Sequence, residues 1–235
     1  MNFNITAKLA AMVLAFFAST SSAAPRSTAG PAVSGYAGDG TPSAGWPSVE
    51  QWASYETMWA NNRFTMGISC EWMGKPNSTP EELDDLNNAI HQVAAETGVD
   101  ARLILAVVMQ ESKACVRVHT TYSPGVGSHA NPGLMQSHAG TFSCHDIPGR
   151  CPAETIVGMV RDGTAGTAAG DGLVATLAQA HAAGAQGARA AYIAARIYNS
   201  GFFTPGALED GRGATGPYAT DIANRLMGST VRDLQ

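Results

Sequence analysis

The run ARLILAVVMQES, residues 101–112, constrains the fold more than any other stretch of the chain. It is almost wholly apolar up to Met109, yet too short for a membrane span, so it reads as a helix buried in a protein core. Asp100 stands where the N-cap of such a helix belongs. Ile104, Val108 and Glu111 fall on one face at helical spacing, with Leu105 beside them. The carboxylate therefore extends the apolar stripe instead of opposing it. An ionised carboxylate in such surroundings costs several kcal/mol unless it is paired or takes up a proton. Two readings are open. The helix end reaches water, or pairs with Lys113 or Arg117; or the carboxyl is held protonated and serves as a general acid.

The compartment is read from the first residues. MNFNITAKLAAMVLAFFASTSSAA carries Lys8 in a polar start, then an apolar run, then small residues through Ala23 and Ala24. This is the pattern of a secretory signal, residues 1–23, cut after Ala23 or Ala24. No later segment is long and apolar enough to cross a bilayer, so a secreted, extracellular protein is expected. The formal charge of −5 becomes one unit more negative once a leader carrying Lys8 and no acid is removed. An acidic chain without basic runs is a poor partner for nucleic acid and has no electrostatic steering towards anionic membranes. Its ligands are expected to be held by shape, stacking and hydrogen bonds, and the chain is expected to act as a monomer.

All four cysteines, Cys70, Cys115, Cys144 and Cys151, lie beyond the leader. In an exported chain an even count favours two disulfides, and four cysteines allow three pairings. Cys144 and Cys151 enclose the turn-rich HDIPGR, which favours joining them and leaves Cys70 for Cys115. The second bridge would close a long loop, worth about 4 kcal/mol in the chain-entropy picture, and would tether the end of the Glu111 helix. His119, His129, His138 and His145 lie nearby, but none shows a usual zinc spacing, so no metal is expected. A cysteine nucleophile at Cys115 is disfavoured because bridges use all four thiols.

Residues 24–45 are rich in Pro, Gly, Ser and Ala and read as a flexible arm, with the folded domain over 46–235. Trp46, Trp52, Trp59 and Trp72 cluster at its start. Trp52, Tyr55 and Trp59 share a helical face, which reads first as core packing and second as a sugar-stacking surface. In NSTPEELDDLNNAIHQVAAETG, Thr79 caps a helix, Pro80 opens it, Glu82 completes a capping box and Gly98 stops it. Leu83, Leu86, Ile90 and Val93 form its buried stripe. Asn77 begins a glycosylation sequon. HTTYSPGVGSHANPG must be loop or a short hairpin, and later helices are expected in DGLVATLAQAHAAG, QGARAAYIAARIYNS and PYATDIANRLMG.

Three segments then stand in order: Glu111-Ser112 at a helix end, Gly133-Leu134-Met135-Gln136, and Tyr198-Asn199-Ser200-Gly201, followed by YATDIANRL. Over residues 81–228 this set resembles the lysozyme-like lytic transglycosylases, the SLT or goose-type superfamily. The resemblance implies a mainly α, lysozyme-like fold with a small hairpin or loop region and a substrate cleft. It implies that Glu111 is the catalytic acid/base and that Tyr198 orients or hydrogen-bonds its carboxyl. Gln136 and Asn199 would contact sugar, and Ser112 and Met135 would help shape the cleft. The chain departs from the family at Asn131-Pro132, at Ile197 before Tyr198, and in the extended Cys144–Cys151 loop. The implied substrate is peptidoglycan or a chitin-like polysaccharide, with no cofactor.

The residues point the same way. Glycoside cleavage needs a proton for the leaving oxygen, and most glycosidases add a second carboxylate. Between Glu111 and Asp146 the sequence holds neither Asp nor Glu. That favours a one-carboxylate route in which the 2-acetamido group of the substrate assists. The acids left open as a second carboxylate include Asp146, Glu71 and Asp39. The alternatives are a hydrolytic muramidase or chitinase of the same fold, and a non-catalytic wall- or chitin-binding protein.

Overall fold

The computed structural model describes residues 32–123, 128–211 and 213–230; the expected signal at 1–23 lies outside the described residues. The protein is mainly α. Seven helices, α1 (Tyr55–Ile68), α2 (Pro80–Thr97), α3 (Ala101–Glu111), α4 (Ala153–Ala165), α5 (Leu173–Ala182), α6 (Gly187–Ser200) and α7 (Tyr218–Leu226), accompany two short strands among the described residues. The strands, β1 (Thr121–Tyr122) and β2 (Ala130–Asn131), pair antiparallel with Thr121 opposite Asn131. They fall inside the segment expected to be loop or hairpin. No helix among the described residues is long and apolar enough to cross a membrane.

Helix α3 is the centre of the molecule, packed against α1, α2, α4 and α7. Every side chain from Leu103 to Met109 is buried. Asp100 caps its start, accepting the Arg102 amide at 2.8 Å. Its end is equally defined. The Ser112 hydroxyl donates to the Val108 carbonyl at 3.0 Å and accepts the Ala114 amide at 3.2 Å. Lys113 and Ala114 then turn the chain through left-handed backbone, φ 54° and 63°, a conformation that residues with a Cβ adopt only when their surroundings hold them there. The Cys70–Cys115 disulfide pins the chain directly after this turn, and Cys144 pairs with Cys151. Glu111 is thus the last residue of a helix whose exit is locked on both sides.

Helix α2 begins as its sequence requires. Thr79 and Glu82 form the reciprocal capping box, Pro80 opens the helix, and Gly98 closes it at φ 74°. Leu83, Leu86, Ile90 and Val93 are all in the core. Glu82 does more than cap. Its carboxylate lies fully buried and accepts two bonds from Arg117, at 2.6 and 3.0 Å, one from the Thr79 amide and one from the Cys151 amide. Arg117 therefore does not pair with Glu111. It locks the start of α2, the segment after α3 and the Cys144–Cys151 loop together.

Two sequence expectations are corrected, and one helix has no counterpart among them. Residues 34–45 do not behave as a loose arm: Ser34 exchanges two hydrogen bonds with the Asn224 side chain, Tyr36 O accepts from Thr220, and the Gly38 amide donates to Glu209. The composition is poor in apolar residues, but Tyr36 packs on Trp46, which packs on Tyr192, and polar side chains from the C-terminal third satisfy the backbone. Helix α1 begins at Tyr55, capped by Ser54, so Trp52 precedes it. Trp52 and Tyr55 are buried, Trp59 is partly buried against the core, and Trp52 Nε1 donates to the Tyr192 hydroxyl, so the first reading of these residues, core packing, holds. Helix α4 has no counterpart in the sequence reading. Its glycines explain why: a Cβ on Gly158 would meet the Phe142 ring at 2.4 Å, and one on Gly163 would meet Met135 Cβ at 2.4 Å. Glycine lowers helix propensity by about 1 kcal/mol, and close packing requires it here.

The Asn77 side chain is engaged at both ends, accepting the Cys70 amide and donating to Glu71.

Candidate active site

A cavity of about 820 Å³ opens beside the end of α3. Its wall includes Glu111, Gln136 and the adjacent Tyr198 and Asn199, drawn from three segments that the sequence places far apart. Thr121, Ser123 and Asn131 bring in the strand pair, Asp171 and Thr176 the start of α5, and Ala214 and Thr215 the segment before α7. Each wall is a helix end or a loop anchored on helices, the usual location for binding residues on a rigid frame.

Glu111 is partly buried and faces this space. Burial drives its carboxyl pKa up, while a hydrogen bond from the Tyr218 hydroxyl and the charge of Arg225 pull it down; the balance stands at about 7, against an ordinary 4.5. A carboxyl poised there can give up a proton and take one back near neutral pH. Tyr218 donates to Oε1 at 2.5 Å, which leaves Oε2 as the atom able to carry the exchangeable proton. Burial and the neighbouring Glu111 charge both raise the Tyr218 phenol above its usual range, so it stays a donor.

Here the structure corrects the role expected of Tyr198. Its hydroxyl donates to the Met135 carbonyl at 2.8 Å, and Tyr218, 107 residues from Glu111, makes the bond to the carboxyl. Two physical facts separate the tyrosines. Tyr198 lies near the end of α6, where the Met135 carbonyl is the acceptor within reach; Tyr218 opens α7, which packs directly on α3. The signal for Tyr218 was present in the closing YATDIANRL, but nothing local marks its phenol for a partner so distant in sequence.

Ser112 and Met135 are also placed differently from expectation. Both are buried, and neither is among the residues lining the cavity. Ser112 terminates α3; Met135 fills the gap against Gly163 and Thr164 and presents its backbone carbonyl to Tyr198. Their contribution to the cleft is support from behind.

Gln136 and Asn199 do face the cavity, each with part of its side chain already in use. Gln136 sits at φ 47°, donates to the carbonyls of His119 and Gly133 at 3.1 and 3.0 Å, and accepts from Thr121 at 2.8 Å. It braces the strand pair, and its Oε1 keeps a second lone pair for a ligand. Asn199 Oδ1 accepts from Arg196, whose guanidinium also donates to the carbonyls of Thr215 and Gly216. Its amide NH₂ stays available to the cavity. Arg196 is buried, and it joins the end of α6 to the opposite wall.

Beneath Glu111 lies a second polar group that sequence reasoning did not single out. Arg225 is buried, donates through Nε to Gln110 Oε1 at 2.8 Å, and Gln110 donates in turn to Asp221. Burial pushes its pKa down to about 10, so it remains charged at neutral pH. That charge restrains the rise of the Glu111 pKa.

Asp171 is an acid in the cavity wall that nothing in its sequence surroundings marks; its Oδ2 accepts from Gln179. Asp39, Asp146 and Glu71 do not line the cavity; Asp39 and Asp146 lie against Arg189 and Lys75, and Glu71 accepts from Asn77. Among the described residues no group of three or more His, Cys, Asp or Glu side chains converges as a metal site. Comparison with known proteins adds no relative: no family model, no curated protein and no solved structure matches the chain.

Proposed function

We propose that the chain is a secreted glycan-cleaving enzyme of lysozyme-like fold, acting on the β-1,4 bond between N-acetylmuramic acid and N-acetylglucosamine in peptidoglycan. The reading rests chiefly on one observation, a carboxyl with a pKa of about 7 in the wall of a cavity also lined by Gln136, Tyr198 and Asn199. Glu111 Oε2 donates its proton to the glycosidic oxygen as the C1–O bond breaks, and the leaving sugar departs as an alcohol. The carbonyl oxygen of the 2-acetamido group closes on C1 and carries the charge that a second carboxylate would otherwise stabilise. The 6-hydroxyl of the same sugar then attacks C1, the bond from C1 to the acetamido oxygen breaks and restores the neutral amide, and Glu111, now ionised, takes the hydroxyl proton. The product is a 1,6-anhydro end, and Glu111 is returned protonated. Tyr218 holds the carboxyl through both steps.

Digestion of purified peptidoglycan followed by mass spectrometry tests this outcome. Fragments ending in the anhydro sugar, one water lighter than reducing ends, are expected. Reducing ends alone would instead support the second reading, a hydrolytic muramidase, which the presence of Asp171 in the cavity favours. That acid would serve as the base activating water.

Acid catalysis by Glu111 also fixes a pH dependence. Cleavage is expected to fall about tenfold per pH unit above 7, where the proton is lost. The Tyr218 bond lowers the carboxyl pKa, so Tyr218→Phe is expected to move that alkaline limb to higher pH while reducing the maximal rate. A limb that stays in place would remove Tyr218 from the proton's control.

A further inference from the structure

Trp72 is anomalous among the four tryptophans. Trp46 and Trp52 are buried and Trp59 is partly buried, whereas Trp72 is 62% exposed. This one is also held in place. It lies in the short helical turn Glu71–Met73, immediately after Cys70, whose disulfide to Cys115 anchors the turn to the exit of α3. The His119 ring meets it edge-on at 5.4 Å, and Lys113 Nζ lies 5.8 Å from the ring centroid. His119 is itself positioned by Met73 Sδ at Nδ1.

Neither neighbour lines the cavity, but each is joined to a residue that does. The His119 carbonyl accepts from Gln136, and Thr121, two residues on, accompanies Gln136 in the cavity wall. Lys113 follows Glu111 by two residues. Trp72 thus lies outside the cavity lining and is tied to its strand-pair side through His119 and Gln136. Flat aromatic faces match the apolar faces of pyranose rings, and a pre-fixed ring loses little entropy on binding. Lys113 Nζ sits over one face of this ring, so a sugar would stack on the other.

We propose that Trp72 is a stacking platform for a sugar of the same glycan strand that occupies the cavity, a distal subsite that grips long chains. The inference rests on the glycan-cleaving reading and extends it. It is tested in the mature chain carrying Glu111→Gln, so that substrate persists, with Trp72→Ala and Trp72→Tyr added separately. Binding to insoluble peptidoglycan is measured by co-sedimentation. Tryptophan fluorescence is followed during titration with soluble peptidoglycan oligomers of increasing length. Trp72→Ala is expected to weaken polymer binding about threefold to tenfold, and Trp72→Tyr to recover most of it. Long oligomers should change the emission in the Trp72 protein and not in the alanine variant, while the shortest bind both equally. Equal polymer affinity with and without Trp72, or a loss shared by the shortest oligomers, overturns the platform and leaves the cleavage reading standing. Absence of glycan binding in every variant overturns both. A change in oligomeric state on Trp72→Ala would assign the ring to a contact between copies and also overturn the proposal.

Discussion

Glu111→Gln is expected to lower glycan cleavage by about 10²–10⁴-fold, the usual contribution of a general acid, while making the fold more stable at high pH. The two effects share one cause. The carboxyl titrates at about 7 in the folded chain and near 4.5 when exposed, so the folded state binds its proton more tightly. Its contribution to stability is fully present below pH 4.5 and is lost as pH rises through 7, where an ionised group must remain in the wall. That loss is at most about 3 kcal/mol, reduced by whatever water in the cavity screens the charge. Glutamine has the same shape, still accepts from Tyr218, and never ionises. Thermal unfolding should therefore give equal midpoints for variant and parent near pH 4.5 and a higher midpoint for the variant at pH 8. A variant as active as the parent would remove Glu111 from the chemistry. Equal midpoints at pH 8 would mean that the carboxyl is not destabilised by its site.

Glu82→Ala carries the largest stability effect. The carboxylate gathers Arg117, the Thr79 amide and the Cys151 amide in a water-free position. Burial raises its pKa, but the bonds from Arg117 and the two amides outweigh that, and the net position is below the ordinary 4.5. The stabilisation is accordingly present above pH 4.5 and lost as pH falls below it. Alanine leaves the guanidinium buried without its counter-charge, which costs about 3–5 kcal/mol. A double variant, Glu82→Met with Arg117→Met, removes both charges and should regain much of that loss. Chemical denaturation of the three chains at pH 7 measures it. A single variant within about 1 kcal/mol of the parent would show that solvent reaches the pair.

These two carboxylates illustrate what local sequence discloses. Glu82 was legible as a capping residue because Thr79, Pro80 and Glu82 are adjacent and their geometry is fixed by one helical turn. Its bond to Arg117, 35 residues away, leaves no periodic trace. Glu111 was legible because an acid on an apolar stripe violates the pattern around it. Tyr218, the group that touches it, sits at the head of an amphipathic helix and looks like any other core tyrosine. The stripe of Leu83, Leu86, Ile90 and Val93 predicted the buried face of α2 from spacing alone. Helix α4 escaped because Gly158 and Gly163 answer to neighbours across the core, which propensity does not see. Residues 34–45 were misread for the opposite reason: their composition offers little to bury, yet their backbone is satisfied by Asn224, Thr220 and Glu209 from the far end of the chain. Local rules place elements; long-range polar partners complete the site.

Glu111, Gln136, Tyr198 and Asn199, four of the motif residues that line the cavity, are also unequal. Glu111 presents a titrating group, whereas Gln136 spends both amide hydrogens and one lone pair on the frame, Asn199 spends one lone pair of Oδ1 on Arg196, and Tyr198 donates through its hydroxyl to Met135. The frame is thus built from the same residues that face the cavity. Substitutions at Gln136 or Asn199 will combine loss of contact with loosening of the strand pair or the end of α6.

The proton on Glu111 is measured most directly by carbon-13 NMR of glutamate-labelled protein, the Glu111 carboxyl resonance being assigned by its disappearance in Glu111→Gln. A midpoint near pH 7 is the expected result. A midpoint at 4.5 or below would describe an ordinary solvated carboxylate, and would contradict the proposed role as the acid.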